Sequence, residues 1–132
     1  MLARANRVVR AEDFRAVVRR GRRSVTPVAV YYRLERGPVD GVTEPLRVGI
    51  IVSKSVGNAV DRNLVRRRYR ALGRQLVEAG AHGNDLVVRA LPGSAQRSWA
   101  TLADDMHAAL DTSLLGAGRV TAGASDSDAM TR

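Results

Sequence analysis

Apolar residues recur along this chain at two spacings, and the switches between them mark out the elements. From Glu12 to Arg20, Phe14, Val17 and Val18 fall at helical spacing, with Glu12 and Asp13 in the first turn and Gly21 just past the end. The spacing predicts a short helix with a frayed start, because Ala11 cannot accept a bond from the first-turn amides as Ser, Asp or Asn would. VTPVAVYYRL, Val25 to Leu34, is β-branched and aromatic and predicts a strand, with Pro27 marking its beginning or an edge. Glu35 to Pro45 carries turn formers and charges without a periodic apolar face and predicts a flexible loop. LRVGIIVS, Leu46 to Ser53, follows as a largely buried strand, expected to pair antiparallel with the first across that loop.

From Ala59 to Ala79 the apolar positions Val60, Leu64, Leu72 and Leu76, with Val65 beside them, put one stripe of a long helix against a core. Asn58 is the expected cap, Asp61 sits where the helix dipole favours an acid, and Gly80 supplies the exit. DLVVRAL, Asp85 to Leu91, predicts a short buried strand. A last helix should carry Trp99, Leu102, Met106, Leu110 and Leu114 along one side, with Ser94 as its cap. After Leu115 the composition falls to Gly, Ala, Ser, Thr and Asp, so the expected organisation is one domain over 1–115 and a disordered tail over 116–132. There is no internal repeat.

Composition narrows the partner. Twenty-two basic residues against thirteen acidic ones leave a net charge of +9, which points first to a polyanion. Lys54 is the only lysine, and the guanidinium fork of arginine matches phosphate oxygens in a way an ammonium does not. The absence of cysteine removes disulfides, thiolate metal sites and cysteine nucleophiles. No apolar stretch reaches signal-peptide or membrane-spanning length, so a soluble, cytoplasmic protein is expected.

The charge is concentrated. GNAVDRNLVRRRYR, Gly57 to Arg70, holds five arginines and one aspartate. Arg62, Arg66, Arg70 and Arg74 stand four apart, about 6 Å per step, with Asn63 and Arg67 on the neighbouring row. Stacking like charges at this spacing costs a few tenths of a kcal/mol per pair unless counter-charges intervene. Only Asp61 and Glu78 stand near, at the two ends. A merely solvated face normally mixes signs, so the pattern favours a phosphate-binding surface. An interfacial membrane helix would need bulky apolar residues opposite the charges, and here those serve the core. A DNA recognition helix usually sits in a helix-turn-helix, whereas strands flank this one. The context favours an RNA-binding domain of mixed α and β structure.

VSKSVGNAVDRNLVRRRYR resembles the signature of the bacterial ribonuclease P protein family: a lysine, a Gly-x-Ala-Val turn, then Arg-Asn, paired basic residues and a further arginine. Here these are Lys54, Gly57, Ala59, Val60, Arg62, Asn63, Arg66, Arg67 and Arg70. NRVVRAEDFRAVVRRG resembles the family's first helix, RVGIIVS its strand before the motif and DLVVRALPGS its last strand and turn, so the likeness runs from Asn6 to Leu115. It implies an α+β, two-layer, ribosomal-protein-like fold: a single αβββαβα domain with a left-handed βαβ crossover. That handedness departs from the rule for such connections.

The resemblance further implies that Lys54, Asn58, Arg62, Asn63, Arg66, Arg67 and Arg70 contact a catalytic RNA subunit. It implies that Phe14, Val18, Tyr32, Lys54 and Arg89 line a cleft for the single-stranded 5′ leader of precursor tRNA. Unpaired nucleotides are held by stacking in basic grooves. Many members carry a second aromatic four residues after Phe14. Here it is Val18, so stacking is expected to be weaker. Tyr31 and Tyr32 must point to opposite faces of their strand, one toward core or solvent and the other toward the cleft.

No residues are expected to be catalytic or metal-binding in the protein itself. His82 and His107 lack partners at triad or metal spacing, and the adjacent Asp104 and Asp105 diverge on a helix. GPVDG and GAHG lack the spacing and context of a phosphate loop. As the resemblance implies, hydrolysis belongs to magnesium ions bound by the RNA. The protein is then the non-catalytic subunit of a ribonucleoprotein endoribonuclease, with catalytic RNA and precursor tRNA as partners and neither membrane nor DNA. The open alternative is another non-catalytic RNA-binding or ribosome-associated protein.

Overall fold

A computed structural model describes residues 2–114; the expected tail, 116–132, lies outside the described residues. The chain forms α1 (Ala11–Arg20), β1 (Arg22–Thr26), β2 (Ala29–Glu35), β3 (Arg47–Val52), α2 (Ala59–Glu78), β4 (Asn84–Ala90) and α3 (Trp99–Leu114). This is the αβββαβα order. The strands build one sheet in the order β1-β2-β4-β3. β2 runs antiparallel to both β1 and β4, and β3 runs parallel to β4, to which α2 connects it.

The sheet departs from the expected strands in two ways. Val25 to Leu34 is a hairpin rather than one strand. Pro27 sits in its turn, where Thr26 Oγ1 accepts bonds from the backbone N–H of Val28 at 3.4 Å and of Ala29 at 3.1 Å. The strands on either side of the 36–46 connection also do not pair with each other, because β4 enters between β2 and β3.

Strand alternation gives the sheet two apolar faces. Tyr31, Leu86 and Val88 face the main core with Val65, Tyr69, Leu72 and Leu76 of α2 and Leu102, Met106 and Leu110 of α3. Full burial of each aliphatic side chain contributes about 1.5–3 kcal/mol, so this layer dominates the stability. Tyr31 and Tyr69 meet edge to face, centroids 6.4 Å apart. The opposite face, with Tyr32 and Val87, packs under Val17, Phe14 and Val18 of α1.

The stripe on α2 is rotated from its expected position. Tyr69 and Gly73 belong to it, whereas Val60 is 75% exposed and Leu64 only partly buried. The helix meets the sheet only after its first turns, and close approach at Gly73 leaves 3.1 Å between a would-be Cβ and Val48 Cγ2. The Asn58 cap is present, its Oδ1 accepting from the Asp61 N–H at 2.9 Å. Ser98, not Ser94, caps α3, accepting from the Thr101 N–H at 3.1 Å. Ser94 instead opens a 3-10 turn, Ser94–Gln96, and Trp99 is half exposed at the start of α3. No side chain caps α1, in keeping with the weak start expected there.

The N-terminal segment runs along the free edge of β3. Leu2 is buried in the main core, Asn6 Nδ2 donates to the Leu46 carbonyl at 3.1 Å, and the Val8 N–H donates to the Val48 carbonyl at 3.0 Å. No helix among the described residues is long and apolar enough to cross a membrane.

Candidate nucleic-acid interface

Gly57 sets the start of the arginine helix. Its φ of 155° lies where side chains are disfavoured, and a Cβ there would stand 2.5 Å from Asp61 Oδ2. The carboxylate of Asp61 and the side chain of Asn58 thus occupy the amino end of α2. A phosphate would find that end already filled by an acid, so anion binding falls to the arginines on the flank.

Along that flank, Asn63, Arg67 and Arg70 are exposed, and Arg62 and Arg66 partly so. Arg62 Nε donates to the Asn58 carbonyl at 3.4 Å, and Arg66 Nη1 donates to Asn63 Oδ1 at 3.2 Å. Neither bond neutralises charge. Arg74 differs: its Nε lies 3.0 Å from Glu78 Oε2, so the last rung of the ladder is paired. Arg68 turns the other way and donates from Nη1 to the Arg97 carbonyl at 2.8 Å, tying α2 to the segment before α3.

The five residues expected in the cleft are placed unequally. Phe14 packs closely against β3: a Cβ on Gly49 would stand 2.5 Å from its Cε1. Tyr32 is on the α1 face and only 7% exposed. The Arg89 guanidinium carbon stands 5.8 Å from its ring centroid, a cation–π contact on an otherwise exposed side chain. Arg89, rather than the tyrosine ring, therefore offers the outer planar surface. Val18 packs beside them. Lys54 is exposed on the 3-10 turn Lys54–Val56 beyond β3, at the sheet end nearest Arg89, whose partner across β3 is Ile51.

The arginine flank and the cleft lie on opposite faces of the sheet, yet they meet round the β3 edge. A groove of about 240 Å³ there is lined by Val8, Phe14, Gly49 and Ile50 and by Arg70 from α2. Opposite this edge, RRGRR brings Arg19, Arg20, Arg22 and Arg23 together at the α1–β1 corner, all exposed. Sequence reasoning missed this second basic cluster, although two Arg-Arg pairs around a glycine were there to be seen.

It also missed a buried ion network at the other end of the strands. Asp85, 4% exposed, accepts from Arg47 Nε at 2.9 Å and Nη2 at 2.7 Å. Arg36 Nε lies 2.9 Å from the same carboxylate without aligned hydrogen-bond geometry. Arg47 also reaches Asp13 of α1 at 3.6 Å. The carboxylates of the described residues nowhere gather in a group that could hold a metal ion. The Nδ1 atoms of His82 and His107 face the carbonyls of Gly80 and Ala103, each at 2.7 Å.

A family model described as Ribonuclease P matches residues 2–113. The ribonuclease P protein component of Clavibacter michiganensis is 48% identical over 110 residues, covering 83% of this chain and 94% of that protein. That of Streptomyces avermitilis is 46% identical over 123 residues, 89% of this chain and 98% of the other. Among solved structures, the RNase P protein of Staphylococcus aureus superposes with a TM-score of 0.67 at 23% identity, covering 83% of this chain and 96% of that one. The Thermotoga maritima protein gives 0.64 at 21%, covering 79% and 94%. These two likenesses speak for the fold.

Proposed function

The chain belongs to the ribonuclease P protein family, and from that premise we propose how it acts as the protein subunit of this tRNA-processing ribonucleoprotein. The α2 flank, with Arg62, Asn63, Arg66, Arg67 and Arg70, lies against phosphates of the catalytic RNA, and Asn58, whose Oδ1 caps the helix, contacts that RNA through its Nδ2. Lys54 stands at the end of the flank. The cleft of Phe14, Val18, Tyr32 and Arg89, with Lys54 at its rim, receives the unpaired 5′ leader of precursor tRNA.

The single observation that carries this reading is that Arg62, Arg66, Arg67 and Arg70 of α2 have no carboxylate partner among the described residues. Joining two polyanions costs repulsion, and a cationic domain between them lowers that cost while holding the leader.

Magnesium would supply the water activation expected of the holoenzyme, but among the described residues no group of carboxylates and histidines fits a protein-held ion. Asp85 is committed to two arginines and Asp61 to a helix end. What remains to the protein is positioning and charge neutralisation, in the cytoplasm where precursor tRNA is made.

The test is cleavage of precursor tRNA by the RNA subunit at low magnesium, with and without this chain. Faster cleavage with the chain, and none by the chain alone, is the expected result. No stimulation, or cleavage by RNA-free protein, would overturn the assignment.

A further inference from the structure

The sheet face that carries the cleft does not end at β2. On β1, Arg23 and Val25 share the face of their cross-strand partners Tyr32 and Val30, and Arg22 and Ser24 point to the other face. Two rows of side chains therefore cross the whole sheet on the cleft side. The first, Arg23, Tyr32, Val87 and Gly49, runs beneath α1 from Tyr32 onward. The second, Val25, Val30, Arg89 and Ile51, is only partly covered: Val25 is 59% exposed and Arg89 is exposed, while Val30 and Ile51 are half-buried beside Tyr32 and Val87. Three strand spacings make this open strip about 14 Å wide.

At its β1 end stand the four arginines of the α1–β1 corner. Gly21 makes that corner possible, because a Cβ there would collide with the Val17 carbonyl oxygen and stand 2.9 Å from that of Arg33. Among the described residues, none of Arg19, Arg20, Arg22 or Arg23 is ion-paired to a carboxylate. Arg22 faces another arginine, Arg33, directly across the hairpin, an arrangement that costs stability.

Edge strands do carry charges simply to prevent pairing with other sheets, and Arg19 and Arg20 suit the carboxyl end of α1. Neither effect explains an open apolar strip that leads from Arg89 to Arg23. We propose that β1 extends the leader track, Arg23 holding a phosphate and Val25 underlying a base of the unpaired nucleotides that lie beyond Arg89. This rests on the cleft being the leader site. A single strand suits the surface because Val25, Val30 and Ile51 offer apolar contact to bases while the guanidiniums of Arg89 and Arg23 stand along the same side for the phosphates between them.

Alternation along β1 supplies the control, since Arg23→Gln and Arg22→Gln remove the same charge from neighbouring residues on opposite faces. Affinity of the assembled RNA–protein enzyme for precursor tRNA is measured as the leader is lengthened one nucleotide at a time. Wild type should gain affinity in two stages. Arg23→Gln should lose the second stage, about five-fold at 0.1 M salt, which is one phosphate contact on a single strand, and behave normally with a short leader. Arg22→Gln should match wild type throughout. If Arg23→Gln binds long leaders as wild type does, or Arg22→Gln loses as much, the track ends at β2 and the proposal fails. If leader length has no effect even in wild type, it is the assignment of the cleft itself that fails.

Discussion

Arg47 and Asp85 pair through two bonds, at 2.9 and 2.7 Å, on a carboxylate 4% exposed to water. Because Arg36 lies 2.9 Å from the same group and Arg47 also reaches Asp13, this one aspartate organises the ends of β2, β3 and β4 and fixes the start of α1. Removing one partner of a buried ion pair leaves the other charge uncompensated. Asp85→Asn should therefore lower the unfolding free energy by about 3 kcal/mol. Asp13→Asn, whose contact is longer and more exposed, should cost under about 1 kcal/mol. Urea unfolding of the two variants checks both values.

Gly49 is the floor on which Phe14 rests. A methyl group there meets the ring at 2.5 and 2.8 Å, and Val8 Cβ at 3.0 Å, so α1 must shift. Gly49→Ala should destabilise the protein by about 1–3 kcal/mol. It should also weaken the leader-dependent part of precursor-tRNA binding more than binding to the RNA subunit alone. Equal loss in both would detach Phe14 from the cleft.

Asp105, on α3, has its carboxyl pushed above the usual range, chiefly by burial and then by Asp104, with Arg97 opposing. A raised folded-state value means that the native protein holds the proton more tightly than the unfolded chain. The contribution is then full below the ordinary aspartate value and is lost as pH rises through the raised one. Asp105→Asn should be more stable than wild type at about pH 7, and the difference should vanish toward about pH 3. Paired denaturation curves at the two pH values decide it.

Local features were legible in the sequence and long-range ones were not. The Asn58 cap, the Gly80 exit and the alternation that sends Tyr31 to the core and Tyr32 to the opposite face follow from rules a few residues long. The hairpin was also signalled, by Thr26 and Pro27, but Pro27 fits a strand start as well as a turn. Asp40 and Gly41, with φ of 52° and 78°, close a tight turn between Val39 and Val42 inside the stretch read as a flexible loop. The Asp-Gly pair between two valines announced it. The insertion of β4 between β2 and β3, by contrast, depends on which faces bury best together, and strand periodicity is silent on neighbours. Asp85 looks like a turn residue until Arg36 and Arg47 are seen converging on it. The α2 stripe was misplaced because Tyr69 was not counted among the core residues and Val60 was, although Val60 lies in the first turn beyond the sheet's reach.

Whether α2 lies against RNA phosphates is decided most directly by the salt dependence of RNA-subunit affinity, in wild type and with Arg62, Arg66, Arg67 and Arg70 all replaced by Gln. Each phosphate contact contributes about 0.7 to 0.9 to the slope of log affinity against log salt, so the four changes should flatten it by roughly three units. Thermal stability should be nearly unchanged, because none of the four side chains is ion-paired among the described residues. A slope that stays as steep as wild type would mean that these arginines face water and that the RNA is held elsewhere.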